Sequence, residues 1–223
     1  MITAGRFITI EGIEGAGKTT VAAVLLASLQ ARGKRCVMTR EPGGTPLAER
    51  LRSLVLERGG EEVSAEVETL LMFAARGVHL DNLVRPALAR GDWVLCDRFT
   101  DATRAYQGGG RGIDSAFIES LAHSVQRGLE PDLTLILDLP VEVGLERARA
   151  RRVARGEAVT DRFESETLQF FERVRARYLD IARAAPHRCR IIDASVVESR
   201  VGEQALAGSC SSGHVRDFHR FLH

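Results

Sequence analysis

Residues 12–19, Gly-Ile-Glu-Gly-Ala-Gly-Lys-Thr, constrain this chain more than any other stretch. They fit G-x-x-x-x-G-K-[ST], and the flanks fit too. Residues 7–10 read as a buried strand, and residues 20–29 read as a helix with Gly33 as its stop. In a strand, glycine-rich turn and helix, backbone N–H groups converge on phosphate oxygens at a helix N-terminus. Lys18 is placed to reach the β- and γ-phosphates of a nucleotide, and the Thr19 hydroxyl to ligate Mg²⁺. Of the 31 lysines and arginines, only Lys18 and Lys34 are lysine. A chain that otherwise uses arginine keeps lysine where a compact ammonium must fit between phosphates.

The rest of the chain alternates. Strand-like runs recur at residues 35–39, 93–97, 133–139 and 190–192, separated by segments of helical period. In one of these Val67, Leu70, Leu71, Ala74 and Val78 recur at three and four. In another Phe171, Val174, Tyr178 and Ile181 do so, with Arg173, Arg175 and Arg177 expected to face outward. The pattern predicts an α/β protein of the P-loop NTPase type, a three-layer fold with a five-stranded parallel sheet and helices on both faces. Ligands of such sheets bind at the carboxyl ends of the strands. Those ends carry the phosphate loop, the run Thr39-Arg-Glu-Pro-Gly-Gly-Thr45, and Asp97-Arg98.

Length and composition suit one domain over residues 1–207, with a Gly-Ser-Cys-rich, His-ended tail at 208–223 that is expected to be mobile. The formal net charge of +1 argues against binding nucleic acid by bulk electrostatics. No apolar run approaches the roughly 20 residues that span a bilayer, and a strand begins too early to leave room for a signal peptide. Cys36, Cys96, Cys189 and Cys210 show no C-x-x-C spacing, so neither a zinc site nor a disulfide framework is expected. A cytoplasmic protein with reduced thiols is the expectation.

A phosphate loop specifies a nucleotide, not a reaction. The guanine-reading motif N-K-x-D cannot occur, since the only asparagine, Asn82, precedes Leu83. A small kinase needs a second phosphate site and a cover that excludes water. Arg40 and Arg98 are candidates for the former. For the cover, Arg147, Arg151 and Arg155 would form one stripe on a helix, within an arginine-rich lid over about 147–163. Two alternatives are a kinase for another nucleoside monophosphate and a slow NTP-hydrolysing regulatory module.

The residues also carry a family resemblance. Glu11-Gly-Ile-Glu-Gly-Ala-Gly-Lys-Thr-Thr20, Thr39-Arg-Glu-Pro-Gly-Gly-Thr45, Phe73-Ala-Ala-Arg76, Asp97-Arg98, Ala105-Tyr-Gln-Gly-Gly-Gly-Arg111 and Asp161-Arg-Phe-Glu164 stand in the order found in bacterial thymidylate kinases. The chain resembles that family over roughly residues 5–200. The resemblance implies Mg²⁺-dependent transfer of a phosphoryl group from ATP to dTMP, in a homodimer. Gly12, Ile13, Glu14, Gly15, Ala16, Gly17, Lys18, Thr19 and Thr20 would form the ATP-binding loop, with Thr19 and Asp97 at the metal. Lys18, Arg98, Arg151, Arg155 and Arg162 would be catalytic. Glu14 would face the sugar 3′-hydroxyl, Arg40 and Arg98 the dTMP phosphate, and Tyr106 the place of a 2′-hydroxyl. Arg76 would bond the thymine carbonyl, and Gln107 would also touch the substrate. An apolar neighbour would stack on the base: Phe73, the better π-surface three residues before Arg76, or Met72, four before. Gly15 is of the small type that goes with arginines supplied by the lid.

Overall fold

The computed structural model describes residues 5–57, 61–156, 163 and 166–196. Five strands form one parallel sheet: β1 (Phe7–Glu11), β2 (Cys36–Arg40), β3 (Trp93–Asp97), β4 (Leu133–Asp138) and β5 (Cys189–Asp193), in the order β2-β3-β1-β4-β5. Between them lie α1 (Lys18–Ala31), α2 (Pro46–Leu56), α3 (Ala65–His79), α4 (Arg85–Ala89), α5 (Thr100–Thr103), α6 (Ser115–Gln126), α7 (Val141–Arg155) and α8 (Leu168–Ala184). Two π-helical segments, Leu80–Val84 and Arg104–Gly110, continue α3 and α5. The expected P-loop NTPase fold is therefore present, with each strand within two residues of its expected bounds.

The sheet is covered on both faces because its strands alternate. Ile8 and Ile10 pack with Leu95, Leu135 and Leu137 against Val21 and Leu25 of α1 and Phe171, Val174 and Tyr178 of α8. Phe7, Val94 and Cys96 point the other way, onto Leu80, Val84, Ala87 and Phe99. Thr9 and Thr134, both fully buried, satisfy each other's hydroxyls at 2.9 Å across β1 and β4. β1 pairs with β3 on one side and β4 on the other, so the chain's winding changes direction there. Each strand ends in a charged residue: Glu11, Arg40, Asp97, Asp138 and Asp193. The crevice at the switch point thus opens between charged strand ends.

Two expectations about helix faces need correction. Arg173 and Arg175 of α8 do not simply point to solvent. Arg173 donates to the Gly110 carbonyl at 2.8 Å, and Arg175 forks onto Asp138 at 2.7 and 3.0 Å. Their long stems let the guanidinium groups fold back, Arg173 onto the π-helical segment and Arg175 onto the carboxyl end of β4. On α3 the apolar stripe is not the buried one. Glu68, Thr69, Phe73, Ala75, Arg76 and His79 are buried, whereas Val67 and Leu70 are each 46% exposed. The buried face of α3 sets the apolar Phe73 and Ala75 among polar residues, Glu68, Arg76 and His79, that reach the site.

Candidate active site

α1 begins at Gly17, in a left-handed conformation, with no side-chain cap and no acidic residue in its first turn. Its first N–H groups are thus left for an anion. Lys18 reaches back over the loop and donates to the carbonyls of Ile13 at 2.9 Å and Gly12 at 3.2 Å. Burial, helped by the Arg98 charge, lowers its pKa from 10.5 to about 8, against the opposing pull of Asp97, Glu14 and Glu11. Gly15 has φ +72, and a Cβ there would strike the carbonyl of Gly144 in α7. The small residue at this position is what lets the arginine-bearing helix lie against the phosphate loop.

A cavity of about 940 Å³ runs from this loop along the carboxyl ends of β1, β2 and β3. Glu14, Lys18, Thr19, Arg40, Arg76, Asp97, Arg98, Tyr106 and Gln107 all line it, and so do Arg147, Arg151 and Arg155 of α7. The three arginines therefore share one helix and border one cavity, Arg151 and Arg155 remaining exposed. Arg147 also anchors that helix, donating to the carbonyls of Ala194 at 2.7 Å and Ser195 at 3.1 Å. Phe163 lines the cavity as well and packs edge-on to Tyr106, with ring centroids 5.9 Å apart. Arg162 lies outside the described residues, as do Cys210, the tail 208–223 and most of the second half of the expected lid.

At the cavity's centre Glu14 accepts from Arg98 at 2.9 Å and from the Tyr106 hydroxyl at 2.7 Å. Arg98 lies over the Tyr106 ring at 4.7 Å and donates to the Tyr178 hydroxyl at 3.3 Å. It has φ +71, a left-handed conformation rare for a side chain of this size and costly unless the surroundings enforce it. Burial would favour neutrality, but the surrounding Tyr106, Glu14, Tyr178 and Asp97 push its pKa well up. Behind it Glu11, fully buried, accepts from the Phe99 N–H at 2.7 Å and the Tyr178 hydroxyl at 2.9 Å. Arg40 sits at the rim, forked onto Glu49 at 3.0 Å.

Arg76 is 3% exposed and is held on two sides. Its Nε donates to Glu41 at 2.7 Å and its Nη2 to Thr103 at 3.0 Å. The other oxygen of Glu41 meets His79 Nδ1 at 2.8 Å, and His79 Nε2 lies 2.8 Å from Thr39 Oγ1. Nη1 of Arg76 is buried with no protein partner. The structure also separates the two stacking candidates. Phe73 is packed with Ile118 and Ala122, its ring 4.7 Å from the Arg76 guanidinium, while Met72 lines the cavity. Phe73 therefore stands behind Arg76 rather than at the cavity wall. One helical position turns the side chain away from the crevice.

The donor set suits Mg²⁺. Asp97 leaves Oδ1 buried and unpartnered, and Thr19 brings a hydroxyl to the same cavity. No cluster of three or more His, Cys, Asp or Glu exists among the described residues. Mg²⁺ does not need one, since it keeps waters and shares one or two carboxylates with phosphate oxygens.

Sequence reasoning missed Glu11, Tyr178, Glu41, His79, Thr103 and Glu68. Glu41 stood inside a quoted motif, and its carboxylate was the available signal. Glu68 and His79 lie on a helix whose apolar stripe drew attention to the opposite face.

A model of the thymidylate kinase family matches residues 10–204. A thymidylate kinase from Pseudomonas syringae pv. syringae is 57% identical over 191 residues, spanning 86% of this chain and 88% of its own. One from Afipia carboxidovorans is 52% identical over 200 residues, spanning 90% and 86%. The crystal structure of thymidylate kinase from Ehrlichia chaffeensis superposes with a TM-score of 0.69 at 34% identity, covering 90% of this chain and 96% of that one.

Proposed function

The chain belongs to the thymidylate kinase family and phosphorylates dTMP to dTDP with ATP, and we propose that the cavity above is where the two substrates meet. The observation that carries this placement is convergence. One cavity joins an uncapped phosphate-loop helix, an arginine stripe and, at its far wall, the unpaired donor Nη1 of Arg76. Residues 12–20 hold the ATP phosphates, with Lys18 exchanging its two carbonyl partners for phosphate oxygens. Arg40 and Arg98 bind the phosphate of dTMP. Glu14, clamped by Tyr106 and Arg98, faces the deoxyribose, and Tyr106 occupies the place of a 2′-hydroxyl. Arg76 donates to the thymine carbonyl, Gln107 contacts the base edge, and Met72 lies against its face as a polarizable apolar surface.

Transfer needs positioning and charge more than covalent help. Arg98, Arg151 and Arg155, with Arg162 from the lid, stabilise the charge that spreads over the transferred group's oxygens. Mg²⁺, held by Thr19 and Asp97, would neutralise charge on the bridging phosphates. The arginine-rich segment at about 147–163 acts as the lid, and residues 1–207 form one catalytic domain.

We also place the protein in the cytoplasm as a homodimer. No helix among the described residues is long and apolar enough to cross a membrane. Cys36, Cys96 and Cys189 are free, which suits a reducing compartment. The exposed apolar stripe of α3 favours a partner subunit.

The test is ADP release with Mg·ATP and one acceptor at a time: dTMP, dUMP, dCMP, AMP, GMP or none. Turnover with dTMP, less with dUMP and none without acceptor is expected, and Arg76→Leu should erode the preference for dTMP. Undiminished base selectivity in Arg76→Leu would remove the base from this end of the cavity.

A further inference from the structure

Gln107 is fully buried in the π-helical segment Arg104–Gly110 and lines the cavity. Its Nε2 donates to Glu68 Oε1 at 2.9 Å, and its Oε1 is buried without a protein partner. Glu68, on the buried face of α3, is also fully buried. Arg111 donates to its two oxygens at 3.3 Å each and, through its other arm, to Glu166 at 2.6 Å.

An amide side chain can present either end, and the two ends do opposite chemistry. A carboxylate paired to a guanidinium offers only acceptors. The Gln107 atom that meets Glu68 must therefore be the nitrogen, which leaves the carbonyl as the free end. We propose that Glu68 is a positioning residue that sets base selectivity: by engaging the Gln107 NH₂ it makes this side chain an obligate acceptor towards the base. The proposal rests on the cavity assignment above.

With Gln107 held so, two residues that line one cavity each keep a buried atom without a partner: the acceptor Gln107 Oε1 and the donor Arg76 Nη1. Thymine and uracil present a donor at N3–H and an acceptor at O4. Cytosine presents an acceptor at N3 and a donor at N4. A fixed acceptor therefore matches dTMP and opposes dCMP, whereas an amide free to turn over would offer its NH₂ to cytosine N3. Sites whose buried polar groups are left unpaired by the wrong substrate discriminate strongly. Glu68 acts from behind Gln107, and its selectivity effect would pass through the amide. Arg111 pairs with the carboxylate and links it to Glu166, just ahead of α8.

The test compares kcat/KM for dTMP and dCMP in Glu68→Gln, Glu68→Asp and Arg76→Leu, with thermal melting of each. Glu68→Gln supplies a group that can donate or accept, so Gln107 loses its imposed direction. We expect the dTMP-to-dCMP ratio to fall by at least about tenfold, mainly through KM for dTMP, with KM for ATP unchanged. Glu68→Asp keeps an acceptor-only carboxylate and should retain most of the ratio. If Arg76→Leu changes the ratio and Glu68→Gln does not, the role of Glu68 is wrong and the pocket is right. If neither changes it, the pocket itself is misplaced. The unsubstituted enzyme gives an independent check. N3-methyl-dTMP keeps O4 but lacks the N3 proton, so its kcat/KM should drop about a hundredfold. Turnover equal to that of dTMP overturns the proposal whatever the variants do.

Discussion

At the scale of single residues the site is a set of charges held by one another. Glu14 is fixed by Arg98 at 2.9 Å and by the Tyr106 hydroxyl at 2.7 Å, so Tyr106, which we propose fills the place of a 2′-hydroxyl, also orients a carboxylate. Tyr106→Phe should keep the ring and its discrimination against ribonucleotides while lowering kcat, because Glu14 loses a donor worth about 1 kcal/mol or more. Tyr106→Ala should lose both, and a deoxy-to-ribo turnover ratio that survives in Tyr106→Ala would refute the steric role. Glu11 makes a prediction about stability. Burial, and next the Asp101 charge, push its pKa from 4.5 to about 8, against the pull of Arg98, Tyr178 and the Phe99 N–H. Between those values the folded state holds a proton that the unfolded chain has released. The stability tied to neutral Glu11 is therefore fully present below pH 4.5 and is lost as pH rises through 8. Lys18, displaced downward from 10.5 to about 8, titrates at the upper end of this window, so the comparison is read in the window's lower part. Glu11→Gln stays neutral, so wild-type stability should fall relative to the variant between pH 5 and 8, by up to a few kcal/mol in urea titrations. Parallel pH profiles would show that Glu11 is not buried in the protonated state.

At the scale of elements the decisive contact is between the phosphate loop and α7. Gly15 and Gly144 let the two backbones touch, which brings Arg147, Arg151 and Arg155 onto the cavity. Gly15→Ala would put a Cβ against the Gly144 carbonyl at a φ of +72. It should destabilise the fold by about 1–3 kcal/mol and lower kcat by displacing the arginines. Melting and single-turnover measurements would check this, and an unaltered kcat would mean that α7 need not lie so close. This contact was half legible in the sequence. The spacing of four put the arginines on one stripe, and the small residue in the loop went with them. That the loop's glycine is required by the backbone of a helix some 130 residues later is a tertiary fact with no local signature. The same limit explains the base pocket. Arg76 could be read from its motif, but the choice between Met72 and Phe73 depended on how α3 is rotated against the sheet. Sequence periodicity tells which residues share a face; it does not tell which face is turned inward.

At the scale of the molecule, the sheet was readable because each strand is a short apolar run ending in a charge, and alternation with helices implies parallel pairing. The outer surface was not. The stripe Val67, Leu70, Leu71, Ala74 and Val78 has the period of a core-facing helix, so core was the natural reading. The structure instead buries Glu68, Thr69, Phe73, Ala75, Arg76 and His79 of the same helix and leaves Val67 and Leu70 each 46% exposed. The adjoining α2 adds Leu47 at 48% and Leu54 at 53% exposed. An apolar face that the fold's own core does not use is covered most simply by a second copy, since a two-fold interface sets the same patch against itself. A homodimer of this kind would have consequences for catalysis, because the opposite face of α3 holds Arg76 and the carboxylate behind Gln107. A partner pressing on Val67 and Leu70 would fix the rotation of the helix that carries them. Sedimentation should give twice the 24.4 kDa of one chain. Val67→Arg with Leu70→Arg should yield monomers, with KM for dTMP raised more than KM for ATP, because the loss would fall on the base end of the cavity. A double variant that stays dimeric would place the interface elsewhere, and monomers with unchanged KM for dTMP would separate assembly from the site.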